Sequence, residues 1–187
     1  MGVALRTRQF NAEEFHRMAD AGIFGENDRL ELIDGEIVEM TPIGPFHAEC
    51  VRRLTKLLVQ RVGNQAEVSV QNPIQLGPQS ELYPDIALLQ VREHGYRLSH
   101  PGPKDILLLI EAGDTTFDAD RMVKIPRYAQ AGIPEIWLID LPGSQVHVYT
   151  EPSLNGYKNI RVLRGTDGLQ ATQLPLCRFA VEEIVQF

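Results

Sequence analysis

ILLLIEAGDTT, residues 106–116, decides how this chain folds. Ile106 to Ile110 is an unbroken apolar run, the pattern of a strand buried on both faces. The run ends in Glu111, then small residues, then Asp114. A carboxylate at the tip of an interior strand is costly unless it is solvated, paired or holding a cation.

Working outward, the segment before it contains two further strand patterns. EVSVQNPIQL, residues 67–76, reads as one strand with a bend at Asn72-Pro73, and LYPDIALLQ, residues 82–90, as the next. A long connection from Val91 to Lys104 leads into DILLLIEAG as a third strand. A helix over roughly Asp118–Ala131 follows, stopped by Gly132 and Pro134, with Pro126 marking a kink or a new first turn. EIWLIDL is a fourth core strand. Three consecutive strands form an antiparallel meander, and the helix after the third permits a crossover to a parallel fourth.

Upstream, Asn11 and Glu14 suit a capping box for a helix ending near Ala21, with Phe15, Met18 and Ala19 as its apolar face. RLELIDGEIVEM alternates on both sides of Asp34-Gly35, a two-residue hairpin signal. A second helix, about Phe46–Val62, carries a buried stripe of Val51, Leu54, Leu58 and Val62. Downstream, SQVHVYTE and Tyr157–Leu163 form a peripheral hairpin, and Phe179–Phe187 a short helix docked through Val181, Ile184 and Val185.

The expected class is α/β with a mixed sheet: an αβββαβ core, an added N-terminal helix and β-hairpin, and a C-terminal β-hairpin and short helix. The 187 residues suit a single domain. We divide it into a loose N-terminus (1–10), the N-terminal helix and hairpin (11–45), the core (46–141) and a C-terminal extension (142–187).

Composition narrows the function. The chain is 43% hydrophobic and 23% charged, ordinary for a globular protein that needs no disulfide or structural metal to fold. A net charge of −7 and a pI near 5.2 exclude a general nucleic-acid coat but not a local basic patch. Cys50 and Cys177 belong to no CxxC and read as reduced residues of a cytoplasmic protein. No segment reads as a signal peptide or a membrane span, so no membrane partner is expected. Gly2 lacks the Ser or Thr at position 6 of a myristoylation signal, where Arg6 stands. There is no GxxxxGK[ST], GxGxxG or GxSxG. His47 and Cys50, one turn apart, read as a helix-start His and a buried Cys rather than a soft-metal pair.

In a meander the start of one strand lies beside the end of the next, which sets Asp85 beside Glu111. Two adjoining carboxylates repel unless a proton or cation lies between them. With oxygen donors and no Cys/His set, that cation is Mg²⁺ or Mn²⁺, with the Ala112 carbonyl completing the protein ligands. Lys124 and Tyr128 fall on one face of the following helix. A lysine there can orient water, lower its pKa or stabilise charge on phosphorus, although a surface lysine is the common alternative. Arg52, Arg53 and Lys56 read as a solvated face more readily than as a phosphate-facing patch, and with Arg92, Arg97 and Lys104 of the long connection they are the candidate phosphate contacts.

Tyr83-Pro84-Asp85 followed by Ile110-Glu111-Ala112 resembles the PD-(D/E)xK nuclease superfamily. LELIDGEIVEM, His47, PDIALL, the block IEAGDTTFDADRMVKIPRYAQAGIPEIWLIDL and the closing LPLCRFAVEEIV narrow it to the Uma-two family of restriction-endonuclease-like proteins. The resemblance runs from about residue 7 across nearly the whole chain. It implies a metal-dependent phosphodiesterase fold, metal binding by Asp85 and Glu111, and Lys124 as a displaced catalytic lysine. His47 and Glu31 match motif positions near the site. Two departures stand out. Gly113 occupies the place of the superfamily lysine, and Ala112-Gly113 replaces a common Val-Ser. The leading expectation is an endonuclease acting on nucleic acid, DNA by default, as a homodimer. The alternative is a catalytically inactive nuclease-fold dimer acting as a binding or regulatory module.

Overall fold

The computed structural model describes residues 7–114 and 117–186, with residue 119 described by its backbone alone. The first six residues of the expected loose N-terminus, with Gly2 and Arg6, and Phe187 of the tail lie outside the described residues. The fold is a mixed α/β arrangement, as the apolar runs predict. Among the described residues, no helix is long and apolar enough to cross a membrane.

Helix α1 (Ala12–Asp20) begins with the anticipated capping box: Glu14 N–H donates to Asn11 Oδ1 at 2.8 Å, and Asn11 N–H to Glu14 Oε2 at 3.2 Å. Its buried residues are Ala12 and Phe15; Met18 is half-buried and Ala19 exposed. The expected Phe15–Met18–Ala19 face is thereby corrected, because the apolar partners Leu32, Phe10 and Phe24 gather with Phe15 and Ala12.

Strands β1 (Leu30–Ile33) and β2 (Glu36–Glu39) form the Asp34-Gly35 hairpin, with φ of 51° and 82° at the two turn residues. Positive φ at both positions is what a type I′ turn demands. Helix α2 (Pro45–Val62) opens with proline in its first turn and buries Cys50, Val51, Leu54, Leu58 and Val62.

The next two segments differ from expectation. EVSVQNPIQL is not one bent strand. It splits into β3 (Glu67–Val70) and β4 (Ile74–Gly77), which enter different sheets. LYPDIALLQ likewise splits into the end of β5 (Ser80–Leu82) and β6 (Ile86–Leu89). Pro73 and Pro84 explain both breaks, since neither can donate to a ladder. A small sheet of order β2-β1-β5-β4 results, into which the N-terminal hairpin is built.

Strand β7 (Ile106–Gly113) pairs antiparallel with β6 and parallel with β8 (Glu135–Asp140). The hairpin β9 (Gln145–Ser153) and β10 (Gly156–Arg164), expected at the periphery, extends this sheet to six strands in the order β10-β9-β8-β7-β6-β3. Leu108, Ile110, Trp137 and Ile139 pack on one face with Leu54 and Leu58. Leu109, Ile136 and Leu138 pack on the other with Ile33, Ile74 and Tyr128. Coverage on both faces is why β7 is almost wholly apolar.

The crossover from β7 to β8 is broken. A short turn, α3 (Phe117–Ala119), passes through a π-type turn at Asp120–Lys124 into α4 (Ile125–Gln130). Pro126 stands in the first turn of α4, where its missing N–H costs no bond. Of the two outcomes open for Pro126, the new first turn is the one observed. The tail differs too: Phe179 and Ala180 belong to a hairpin of β11 (Gly168–Ala171) and β12 (Leu174–Ala180), and only Glu182–Val185 is helical, as α5. Val181, Ile184 and Val185 are buried as expected.

Candidate functional site

Side chains alternate faces along a strand. Ile110 and Ala112 pack on one face of β7, so Glu111 between them points to the other, toward α4. The antiparallel register of β6 on β7 sets Ile86 opposite Ile110, which brings Asp85 beside Glu111 on that same face. The two acids brace one another through the backbone. Asp85 N–H donates to Glu111 Oε2 at 3.3 Å, and Ala112 N–H donates to Asp85 Oδ2 at 2.9 Å. A residue's N–H and C=O leave a strand on the same edge, so the Ala112 carbonyl also faces the Asp85 side.

Further groups close on the pair. His47, in the first turn of α2, donates Nε2–H to Asp85 Oδ1 at 2.7 Å. Tyr128 OH donates to Glu111 Oε1 at 2.5 Å. Lys124 Nζ lies 3.1 Å from Glu31 Oε1, 3.7 Å from Glu111 Oε1 and 3.8 Å from Asp120 Oδ1. Glu31 is held in turn by the Tyr83 N–H at 2.8 Å. Glu31, His47, Asp85, Glu111 and Lys124 all line one cavity of about 290 Å³, with Arg29, Asp114 and Asp120 also on its wall.

Gly113 has a packing reason. A Cβ there would lie 2.6 Å from Phe117 Cα and 2.8 Å from its Cβ. The strand position of the superfamily lysine has no room for a side chain, and the amine in the cavity comes from the π-type turn instead.

The electrostatics follow from burial. Burial pushes the Glu111 carboxyl up, to about 8, with Asp120 and Asp85 adding to the rise and Lys124 and Tyr128 opposing it. For Lys124, burial alone would lower the amine, but the carboxylates of Glu111, Glu31 and Asp120 outweigh it and hold the group above the ordinary lysine range. The hydrogen bond to Asp85 raises His47, against the opposing effect of burial. Burial raises the Tyr128 hydroxyl well above its usual range. The two cysteines are free, buried, and raised by that burial to about 12.

The donor chemistry suits a hard divalent cation. The charged groups on the cavity wall are mostly acids, and apart from His47, whose Nε2 is bonded to Asp85, the available ligands are carboxylate and carbonyl oxygens. An ionised carboxylate has about four acceptor positions. Asp85, and Glu111 once a cation displaces its proton, therefore keep acceptor capacity beyond the bonds already named.

Sequence reasoning missed three residues at this site: Gln71, Asp120 and Arg29. Gln71, at φ 51°, donates its N–H to the Asp85 carbonyl at 3.0 Å and its Nε2–H to Asp85 Oδ1 at 3.3 Å. The bend at Asn72-Pro73 was the signal for it. Asp120 stands four residues before Lys124, a spacing that brings side chains together on a helix.

The proposed phosphate contacts are elsewhere. None of Arg52, Arg53, Lys56, Arg92, Arg97 and Lys104 lines the cavity. Arg52 pairs with Glu49 at 2.5 Å, Arg53 donates to the Glu183 carbonyl at 2.7 Å, and Arg92 pairs with Asp105 while stacking on Tyr96. Lys56, Arg97 and Lys104 are exposed. Arg29, not singled out from the sequence, is the arginine on the cavity wall among the described residues.

No curated protein matches the chain by sequence. A crystal structure described as that of "a putative nuclease" from Anabaena variabilis superposes with a TM-score of 0.73 at 15% identity, covering 94% of this chain and 97% of that one. At that identity the likeness concerns the fold. The profile of the Uma2 family, described as "Putative restriction endonuclease", matches residues 12–182. With nearly its whole length matched, from the capping box of α1 to the start of α5, the chain belongs to the Uma2 family.

Proposed function

We propose that this chain is a Mg²⁺- or Mn²⁺-dependent endonuclease that hydrolyses phosphodiester bonds, with DNA as its substrate. The observation that carries the reading is the buried pair Asp85–Glu111 with the Lys124 ammonium 3.7 Å from Glu111 at the wall of an open cavity. Family membership supports it.

Asp85 and Glu111, with the Ala112 carbonyl, are the residues that would hold the cation. When bound, it supplies a Lewis acid that acidifies water and offsets charge on phosphate oxygens. The cavity wall itself explains the need: Glu31, Asp85, Glu111, Asp114 and Asp120 outnumber Arg29 and Lys124, so an anionic phosphodiester is repelled without a counter-charge.

The surrounding acids hold Lys124 as an ammonium, and the role we assign to it is electrostatic. It donates to the phosphoryl oxygens as charge develops in the transition state. Glu31 and Asp120 hold the ammonium in place. Tyr128 fixes the rotamer of Glu111, and His47 and Gln71 fix that of Asp85. A cytoplasmic homodimer would offer one such cavity to each strand of a duplex.

The test is cleavage of single- and double-stranded DNA and of RNA with Mg²⁺ or Mn²⁺. Wild type is run beside Asp85→Ala, Glu111→Ala and Lys124→Ala, and sedimentation reports the oligomeric state. Cation-dependent cleavage lost in the acid variants supports the reading. Equal activity in wild type and acid variants points to contamination and sinks it. A folded wild type that binds DNA but never cuts it is the inactive binding module.

A further inference from the structure

A second cluster of metal-ligating side chains lies on the opposite face of the small sheet from the cavity. Glu81 in β5 stands opposite Leu32 of β1 and Gln75 of β4. Residues directly opposite share a face, so Glu81 points with Leu32 toward α1, away from Glu31. Its side chain is only 1% exposed. A carboxylate so buried requires a partner. Among the described residues, the one hydrogen-bonded to it is His16 of α1, whose Nε2 sits 2.9 Å from both carboxylate oxygens.

His100 completes the group. The Pro101 carbonyl accepts the Gln75 N–H at 2.9 Å, which seats the end of the long connection against β4, directly across from Glu81. The His100 ring meets that of His16 edge-on at 6.0 Å. One ligand atom from each of His16, Glu81 and His100 falls within 4.8 Å of the others. None of the three lines the cavity.

We propose that His16, Glu81 and His100 form a binding site for a divalent transition cation, Zn²⁺ in the first instance. Two imidazole nitrogens and one carboxylate suit zinc, with the fourth position open to water. Ligand atoms around a tetrahedral zinc lie about 3.3 Å apart, given bonds of about 2.0 Å. Both histidines are exposed, so a modest rotation of their rings closes the group around an ion while Glu81 stays fixed in the sheet. The ion would tie α1, β5 and the long connection together. That connection carries Arg92 and Arg97, so the site would set where those cations stand.

Calorimetric titration with ZnCl₂ in excess Mg²⁺ tests this, with Asp85→Ala as the control that disables the carboxylate cavity. We expect one tight equivalent that survives Asp85→Ala. His16→Asn and His100→Asn should weaken it beyond the roughly 10–100-fold that outer-sphere changes cause. Zn²⁺ should also slow proteolysis within residues 91–100 of wild type and not of the variants. Co²⁺ in wild type should give the visible bands of a four-coordinate site, a readout independent of any substitution. Zinc binding unchanged in both histidine variants overturns the proposal, as does a folded wild type that takes up neither Zn²⁺ nor Co²⁺. Neither result bears on nuclease activity, so the two readings fail separately.

Discussion

Lys124 Nζ lies 3.1 Å from Glu31 Oε1 although 93 residues separate them. The contact joins the N-terminal hairpin to the crossover after β7, and it makes the hairpin a wall of the cavity. The ammonium is surrounded by acids: Glu31, Glu111 and Asp120 all lie within 4 Å of it.

Removing that ammonium exposes the like charges to one another. The side chains of Glu31 and Glu111 are 4% and 3% exposed. Lys124→Met in the presence of chelator should therefore cost about 3 kcal/mol at pH 9, above the raised Glu111 value of about 8, and less near neutral pH, where that carboxyl keeps its proton. Urea denaturation measures it. A variant as stable as wild type would show that the acids carry no charge in the fold.

Tyr128→Phe removes the donor to Glu111 Oε1 and keeps the ring. We expect a loss of roughly 1–3 kcal/mol, the cost of an unsatisfied buried acceptor. In a Glu111→Gln background the same change should cost less. A double-mutant cycle reports the coupling, and independence of the two would mean the 2.5 Å contact does not bind them.

Gly113→Ala should destabilise by about 1–3 kcal/mol, as overpacking does, because the clash is with the backbone Cα of Phe117 and cannot be relieved by a rotamer change. Gly113→Lys should be worse and should not raise cleavage. A gain in activity from lysine at 113 would contradict the assignment of the amine to Lys124.

His147 sets an acid-side dependence. Burial lowers its pKa, and its Nε2 is buried with no hydrogen-bond partner among the described residues. The unfolded chain therefore takes up a proton at a higher pH than the fold does. The sign follows: the residue's contribution is intact above the ordinary histidine range and is lost as pH falls from about 6.5 toward the lowered folded value. Thermal melts from pH 8 to pH 5 should fall less steeply for His147→Phe than for wild type. Parallel profiles would refute the effect.

Legibility from sequence followed the range of the interaction. The α1 capping box, the Asp34-Gly35 turn and the buried stripe of α2 depend on residues within a few positions, and they appear as read. The Asp85–Glu111 approach was readable because a meander of consecutive strands has little freedom of register once its apolar faces are set. That Lys124 and Tyr128 share a face was readable from their spacing of four; that both side chains reach Glu111 was not.

What sequence could not supply is which distant backbone each edge would choose. The alternation of β3, β4 and β5 is the same whether they join one sheet or two; Pro73 and Pro84 mark the breaks, but pairing energy across the whole chain decides the partner. The hairpin β9–β10 reads as peripheral by itself, and only its ladder to β8 makes it part of the central sheet. The His16–Glu81–His100 cluster draws on three separate elements, and no spacing in the chain announces it. Sequence by itself determined α1, the β1–β2 hairpin, α2 and the apolar runs of β6, β7 and β8, together with the two strand-end acids and the amine four residues before Tyr128. Tertiary structure decided that Glu31 holds that amine, that Gln71 braces Asp85 and that Gly113 must lack a side chain. The first two are contacts between segments whose separation along the chain carries no periodic signal, and the third follows from how the chain turns back at Phe117 as it leaves β7.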